Sequence, residues 1–210
     1  MRLSIFGATG PTGRRLVEQA LARGHSVTAV ARSPERMSLS HPQLQVVRGD
    51  VTDPTTIAAA IAGHDAVLSA LGAPVGRAPV SLYSVGTANI LATMAQHSVR
   101  RIVCVSAGGT HPGKDPNNPV FFEYVVAPLL LGRIFDDMRR MEDLLMASNT
   151  DWTIVRPPAL RDTPPTKIYR VAPAYSLPKG WQIGRADLAD FILDTLDGNG
   201  YHRQALAIAY

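Results

Sequence analysis

"FGATGPTGRRL", residues 6–16, carries three evenly spaced glycines, Gly7, Gly10 and Gly13. It follows the apolar run "RLSIF" (2–6), which reads as a buried strand, and opens a helical pattern from Pro11 to Arg23 that stops before Gly24. At a strand–loop–helix junction each glycine has its own use. Gly7 permits the tight turn, Gly10 lets the backbone approach an anion, and Gly13 allows the helix to pack close on the strand. The start of the helix adds free N–H groups and a partial positive charge, and Thr9 and Thr12 add hydroxyl donors. The junction therefore reads as a cradle for the pyrophosphate of a dinucleotide, with Gly7, Thr9, Gly10, Pro11, Thr12 and Gly13 around it.

The rest of the chain repeats the same alternation. Strands are expected at "SVTAV" (26–30), "LQVVRG" (44–49), "DAVLSAL" (65–71), "RRIVCVS" (100–106), "DWTIVRPP" (151–158) and "RQALAIAY" (203–210). Helices are expected at Thr55–Ala62, Val80–His97 and Asp187–Leu196. A longer helical stretch, Val120–Ser148, is broken at Pro128 or Gly132, and its second half lines up Ile134, Met138, Met141 and Leu145 on one face. Most strands are apolar on both faces, which means a parallel sheet covered on both sides. The expected fold is α/β: a single doubly wound domain over 1–210, with an irregular segment at 157–183 contributing to a substrate pocket.

Composition narrows the classes. The 210 residues suffice for one full core. No signal-peptide pattern opens the chain, and the apolar stretch Tyr124–Leu131 is too short to span a bilayer, so a cytoplasmic protein is expected. The net charge of +4 comes from arginines scattered singly and in pairs, without a basic run, which speaks against a nucleic-acid partner. The lone Cys104 reads as a small buried hydrophobe. No ligand-spaced His/Cys/Asp/Glu cluster suggests a metal, and no Gly-x-Ser-x-Gly nucleophile is present.

The second strand decides which dinucleotide. Its end reads "AVARSPERM" (29–37), with Arg32 where an NAD site wants a carboxylate for the ribose 2′-hydroxyl, Arg36 four residues on, and Ser33 between. Two cations there select the 2′-phosphate of NADP(H). Further strand ends complete the groove. "GDVTD" (49–53) sets Asp50 and Val51 beside the adenine, "SALG" brings Leu71 and Gly72 past the ribose, and "VSAGG" puts Ser106 near the nicotinamide.

The runs "IFGATGPTG", "GDVTD", "DAVLSALG", "VSAGG", "RPP" (156–158), "DDMRRME" (136–142) and "ADLADFILDTL" (186–196) together resemble the atypical short-chain dehydrogenase/reductase group. They are most similar to its flavin reductase/biliverdin reductase B branch, over essentially the whole chain. The resemblance implies a Rossmann-type sheet and NADPH-dependent reduction of free flavins, biliverdin-like tetrapyrroles or quinone-like dyes, with FMN or FAD as substrate and not as prosthetic group. It also implies cofactor contacts from Gly7, Thr9, Gly10, Thr12, Arg32, Arg36, Asp50, Leu71, Gly72, Ser106 and Pro157. Where vertebrate members carry histidines, this chain has Ala159 and Met138, which removes a protein-borne proton donor.

An absence shapes the chemistry. Ordinary short-chain dehydrogenases pair a tyrosine with a lysine four residues on, to tune the phenol for proton transfer. Only Tyr175 and Lys179 have that spacing, and Pro178 stands between them, in the segment after the sixth strand. Alcohol–ketone chemistry and sugar epimerisation are disfavoured. A planar conjugated acceptor spreads incoming charge and takes its proton from solvent, so the enzyme mainly positions it. Ser106 is the candidate catalytic residue, and the turn at Pro157-Pro158 closes the far side of the nicotinamide. Tyr169, Tyr175 and Trp181 are candidates to stack on the acceptor, whereas His111 reads as solvated. Two readings remain. One is an NADPH-dependent reductase, monomeric or weakly dimeric; the other is a non-catalytic NADP(H) sensor acting through a protein partner, with "FFEYVVAPLLL" (121–131) either core or a partner surface.

Overall fold

A computed structural model describes residues 1–76, 78–117, 129–197 and 201–210. Strand β1 (Arg2–Phe6) leads into helix α1 (Pro11–Ala22), then β2 (Ser26–Ala31), β3 (Leu44–Arg48), the short α2 (Ala58–Ile61) and β4 (Ala66–Ser69). Helix α3 (Leu82–Gln96), β5 (Arg101–Val105), α4 (Gly132–Ala147) and β6 (Asp151–Arg156) follow. The last part holds β7 (Ala159–Arg161), β8 (Arg170–Ala172), β9 (Gln182–Gly184), α5 (Arg185–Asp194) and β10 (Gln204–Ala209).

Eight strands form one sheet in the order β3-β2-β1-β4-β5-β6-β10-β8, parallel except where β8 runs against β10. β7 and β9 make a separate parallel pair. Alternating side chains of each strand feed two cores. On one face Leu16, Val17 and Ala20 of α1 and Leu188, Ala189 and Ile192 of α5 pack on Leu3, Ile5 and Val27. On the other, Ile57, Ile61, Ile90, Met94, Met141 and Leu145 cover Phe6, Val67, Ile102, Cys104 and Ile154. The sheet is thus wound with helices on both faces, as the alternation predicts. Strand order reverses between β1 and β4, so a crevice opens there beyond the carboxyl ends of the strands.

Helix boundaries follow side chains as well as propensity. No side chain of α3's own N-cap, Ser81, caps that helix. Asp137, fully buried on α4, does so from across the core, accepting the Tyr83 N–H at 2.8 Å and the Ser84 hydroxyl at 2.5 Å. The predicted stripe Ile134, Met138, Met141 and Leu145 is buried, on a helix that begins at Gly132 after a π-type turn at 129–131. The expected helical residues 120–128 lie outside the described residues. Leu129 and Leu130 are exposed, so at least these two members of the apolar stretch are not core. The expected helix at 55–62 is a 3-10 turn (Pro54–Thr56) followed by α2. The segment 157–183, expected to be irregular, contains three short strands. Among the described residues no helix is long and apolar enough to cross a membrane.

Candidate functional site

The glycine junction lies at the crevice. Gly7 has φ +74°, and a Cβ there would meet the Ala70 carbonyl oxygen at 2.3 Å, so only glycine joins β1 to α1 this close to β4. Gly13 sits beneath the groove and not in its wall: a Cβ would lie 2.1 Å from the Gly7 carbonyl oxygen. Gly10 differs, because its Cβ would meet only that oxygen, at 3.2 Å, and otherwise project into open space. No side chain caps α1 and Pro11 is its first residue. Among the described residues no acceptor is found for the Thr12 and Gly13 amides. These are the elements of an anion cradle.

The groove above it has a volume of about 440 Å³. Gly7, Thr9, Gly10, Pro11, Thr12, Arg32, Arg36, Asp50, Val51, Leu71, Gly72 and Ser106 all line it. The strand order puts Asp50 and Val51 after β3 and Arg32 and Arg36 after β2 toward one end, the glycine loop after β1 in the middle, Leu71 and Gly72 after β4 next, and Ser106 after β5 at the far end. Arg32 and Arg36 are exposed. Glu35, the carboxylate between them, is instead engaged by Arg48, which also donates to the Arg32 carbonyl at 2.7 Å. Among the described residues neither Arg32 nor Arg36 has an ion-pair partner, so both charges stand at the groove for a ligand. Asp50 Oδ1 accepts the Thr52 N–H at 2.9 Å and the Thr52 hydroxyl at 2.8 Å. These bonds, with a smaller contribution from the Arg32 charge, lower its pKa. Asp50 is therefore an ionised acceptor with one oxygen already committed.

Arg14, which sequence reasoning passed over as a scattered surface charge, ties the site together. It donates to the Thr9 carbonyl at 3.2 Å and to the Arg36 carbonyl at 2.6 Å, joining the glycine loop to the arginine loop. Arg185 and Leu160 were also missed and line the groove, Arg185 being paired with Asp162 at 3.0 Å. Their signal is tertiary: both belong to the last quarter of the chain, folded back over the sheet.

Ser106 sits at the β5 end, 3 % exposed. Its hydroxyl donates to Glu142 Oε1 at 2.5 Å, so toward a ligand it presents lone pairs. Glu142 also accepts from Thr110 at 3.1 Å and from Arg156 at 3.0 and 2.6 Å. Arg156 in turn donates to the Ala174 carbonyl at 3.2 Å and stacks on the Tyr175 ring, 3.7 Å from its centroid. Met138 lines the groove beside Ser106. Tyr83 lines it too, but its Oη accepts the Ala73 N–H at 2.9 Å, and burial raises the phenol pKa.

Pro157 and Pro158 line a different space from the one expected for them. With Ala107–Gly109, Leu131, Phe135, Ala159, Tyr175, Leu177, Trp181 and Ala207–Ala209 they enclose a second cavity of about 330 Å³. The linings of the two spaces run close together along the chain. Ser106 and Ala107 are successive residues, one in each lining, as are Leu160 and Ala159, and Met138 and Phe135 are one helical turn apart. Of the three aromatic candidates, Tyr175 and Trp181 line this cavity, whereas Tyr169 packs edge-on against Phe191 in the core. His111 is only half-buried, and its ring meets the edge of Tyr175 at 4.6 Å. Cys104 is fully buried, and burial pushes its thiol up to about 12, so it is an inert hydrophobe.

A family model described as NAD(P)H-binding matches residues 7–199. The chain belongs to that family. It is similar to an uncharacterized chloroplastic protein of Arabidopsis thaliana, 32 % identical over 93 % of this chain and 71 % of that one. An uncharacterized sugar epimerase of Bacillus subtilis is 28 % identical over 98 % and 92 %. Among solved structures, a short-chain dehydrogenase/reductase of Veillonella parvula in complex with NADP shares the fold, with a TM-score of 0.83, 20 % identity and coverage of 100 % and 94 %. So does a Streptococcus pneumoniae protein provisionally named an NADH-flavin reductase, with a TM-score of 0.77, 24 % identity and coverage of 100 % and 99 %. The Rossmann-type α/β fold expected from the sequence is the fold observed.

Proposed function

We propose that the protein is an NADPH-dependent reductase of planar conjugated acceptors. The observation that carries this reading is a polar groove with cations at one end and an apolar cavity, whose linings take the successive residues Ser106 and Ala107. The open face above Gly10, the free amides of Thr12 and Gly13 and the unpaired Arg32 and Arg36 fit a pyrophosphate and a 2′-phosphate. When bound, the reduced nicotinamide supplies two electrons and a proton as hydride, its C–H bond breaking as the acceptor gains them, and one proton from water completes the reduction.

The chain's own residues do the rest by placement. Arg32 and Arg36 select the phosphorylated nucleotide, and Arg14 fixes the two loops that grip it. Ser106, held by Glu142, offers an acceptor at the far end of the groove, suited to an amide N–H. Phe135, Pro157 and Tyr175 wall the second cavity, which this reading assigns to the acceptor ring, held against the nicotinamide. Proximity of that kind is a large part of catalysis when no proton transfer is needed from the protein. The name of the Streptococcus protein favours a flavin-like acceptor, and the NADP in the Veillonella structure favours the phosphorylated nucleotide.

NADPH oxidation measured in parallel with riboflavin, FMN, biliverdin and a naphthoquinone tests the reading. Turnover with at least one acceptor is expected, and Ser106→Ala should weaken it by about tenfold while leaving the fold intact. Micromolar NADPH binding without turnover of any acceptor would make the protein a sensor instead.

A further inference from the structure

The second cavity is unlike the groove in one respect: among the described residues it offers a ligand no free charge. Their share of its wall is apolar or aromatic apart from backbone, Ser176 and one cation, Arg156. That cation is spent. Arg156 is 4 % exposed, its donors go to Glu142 at 3.0 and 2.6 Å and to the Ala174 carbonyl at 3.2 Å, and Tyr175 covers its face at 3.7 Å. Arg170 on β8 and Lys179 before β9 do not line the cavity, and Arg170 already donates to the Pro178 carbonyl and to a main-chain oxygen of Tyr210. A carboxylate, sulfonate or phosphate entering here would leave water without a partner.

Size adds a second limit. A cavity of roughly 150 Å³ is filled by one benzene ring. About 330 Å³ therefore holds two to three fused rings and not an open-chain tetrapyrrole with its acid side chains. The walls are also set in advance, because Tyr175 is held by the Arg156 guanidinium over its face and by a T-shaped contact with the His111 ring.

We infer that this cavity is selective for uncharged planar molecules of two to three fused rings, of the naphthoquinone class, and discriminates against the same rings carrying an anionic group. The inference rests on the reductase reading for the cavity's role as acceptor site, but the selectivity itself is a property of the empty protein and is measured without nucleotide.

The chain has two tryptophans, and they report separately. Trp181 is 62 % exposed at the cavity, whereas Trp152 is buried in the core and does not line it. Nucleotide-free protein is titrated with 2-methyl-1,4-naphthoquinone and with 1,4-naphthoquinone-2-sulfonate, following Trp181 emission, with Trp181→Phe as the blank. Riboflavin against FMN gives a second pair differing by one phosphate. Saturable quenching by each uncharged partner is expected, with the anionic partner at least tenfold weaker. Ala159→Arg places a cation at the exposed side of the cavity and should bring the sulfonate to within about threefold of the uncharged quinone. Equal or tighter binding of the anionic partners to the unaltered protein overturns the inference, as does quenching that never saturates or an Ala159→Arg protein with unchanged preference. The two readings fail separately. Selective binding without NADPH turnover refutes the reductase and leaves the selectivity standing, whereas turnover with no preference for uncharged rings does the reverse.

Discussion

Replacing Arg32 with alanine separates a nucleotide site from an incidental cluster of surface arginines. The side chain is exposed and has no ion-pair partner among the described residues, and the bond that Arg48 makes is to the Arg32 backbone carbonyl. The fold should therefore tolerate the change within about 0.5 kcal/mol. A charge-assisted hydrogen bond to phosphate is worth about 1.5–3 kcal/mol. Solvent and salt around an exposed guanidinium keep it near the bottom of that range, about 1.5–2 kcal/mol. At 1.4 kcal/mol per decade, NADPH should bind roughly ten- to thirtyfold more weakly. NADH, lacking the 2′-phosphate, should change by less than about twofold. Arg36→Ala should act in the same direction, and the double variant should lose the preference for NADPH. Calorimetric titration of both nucleotides at two salt concentrations is the assay, with a shallower salt dependence expected for the variants. Equal losses for NADPH and NADH, or none for either, would refute the assignment of this loop to the 2′-phosphate.

Three further outcomes follow from the geometry. Gly13→Ala forces a Cβ onto backbone atoms at 2.1 and 2.8 Å and should cost about 1–3 kcal/mol in denaturant titration, whereas Gly10→Ala, with one contact at 3.2 Å, should unfold normally yet lose NADPH affinity. Glu142→Ala strands the buried Arg156 charge and should destabilise by about 3–5 kcal/mol in the same titration, and Glu142→Gln by less. Burial of Asp187 opposes its ionisation, but hydrogen bonds from Tyr210, Lys167 and Thr166 outweigh it and lower the pKa below the ordinary aspartate value. The folded state thus holds this proton less tightly than the unfolded chain. The stabilisation is complete above about pH 4 and lost as pH falls through the folded value, so Tm followed from pH 6 to pH 3 should drop less steeply in Asp187→Asn.

What could be read in advance was whatever the chain encodes locally. The glycine junction, the strand–helix alternation, the stripe on α4 and the burial of Cys104 each depend on residues within a turn or two of one another. What could not be read depends on partners far along the chain. β7, β8 and β9 have three residues each and exist because Ala159 pairs with Gln182 and Val171 with Ile208, registers that no local period announces. α3 is capped by Asp137, 54 residues away. Ser106 was legible as a strand-end hydroxyl, but its commitment to Glu142 was not, since the carboxylate arrives from α4 and is held there by Arg156 from β6. Pro157 was expected at the cofactor by resemblance, and the Pro157-Pro158 turn was expected to close the far side of the nicotinamide. Both prolines line the second cavity, and the Gly108 N–H donates to the Pro157 carbonyl, tying that turn to the loop after β5.

The α4 wall limits which reactions suit this site. Proton transfer needs a titratable group within about 3 Å of the reacting atom. From α4, Met138 lines the groove and Phe135 the second cavity, with Ile134 buried beside them. The next titratable group along that face, Glu142, is closed off by Arg156, Ser106 and Thr110. Tyr83 keeps its O–H, since its oxygen only accepts the Ala73 N–H, but burial raises its pKa and makes it a poorer acid. Reduction of an isolated carbonyl concentrates charge on one oxygen and would find no strong acid among these groups. An aromatic acceptor spreads the same charge over its rings and can wait for water. Under the proposed reading, the side chains that would hamper the first reaction are those that hold the acceptor for the second.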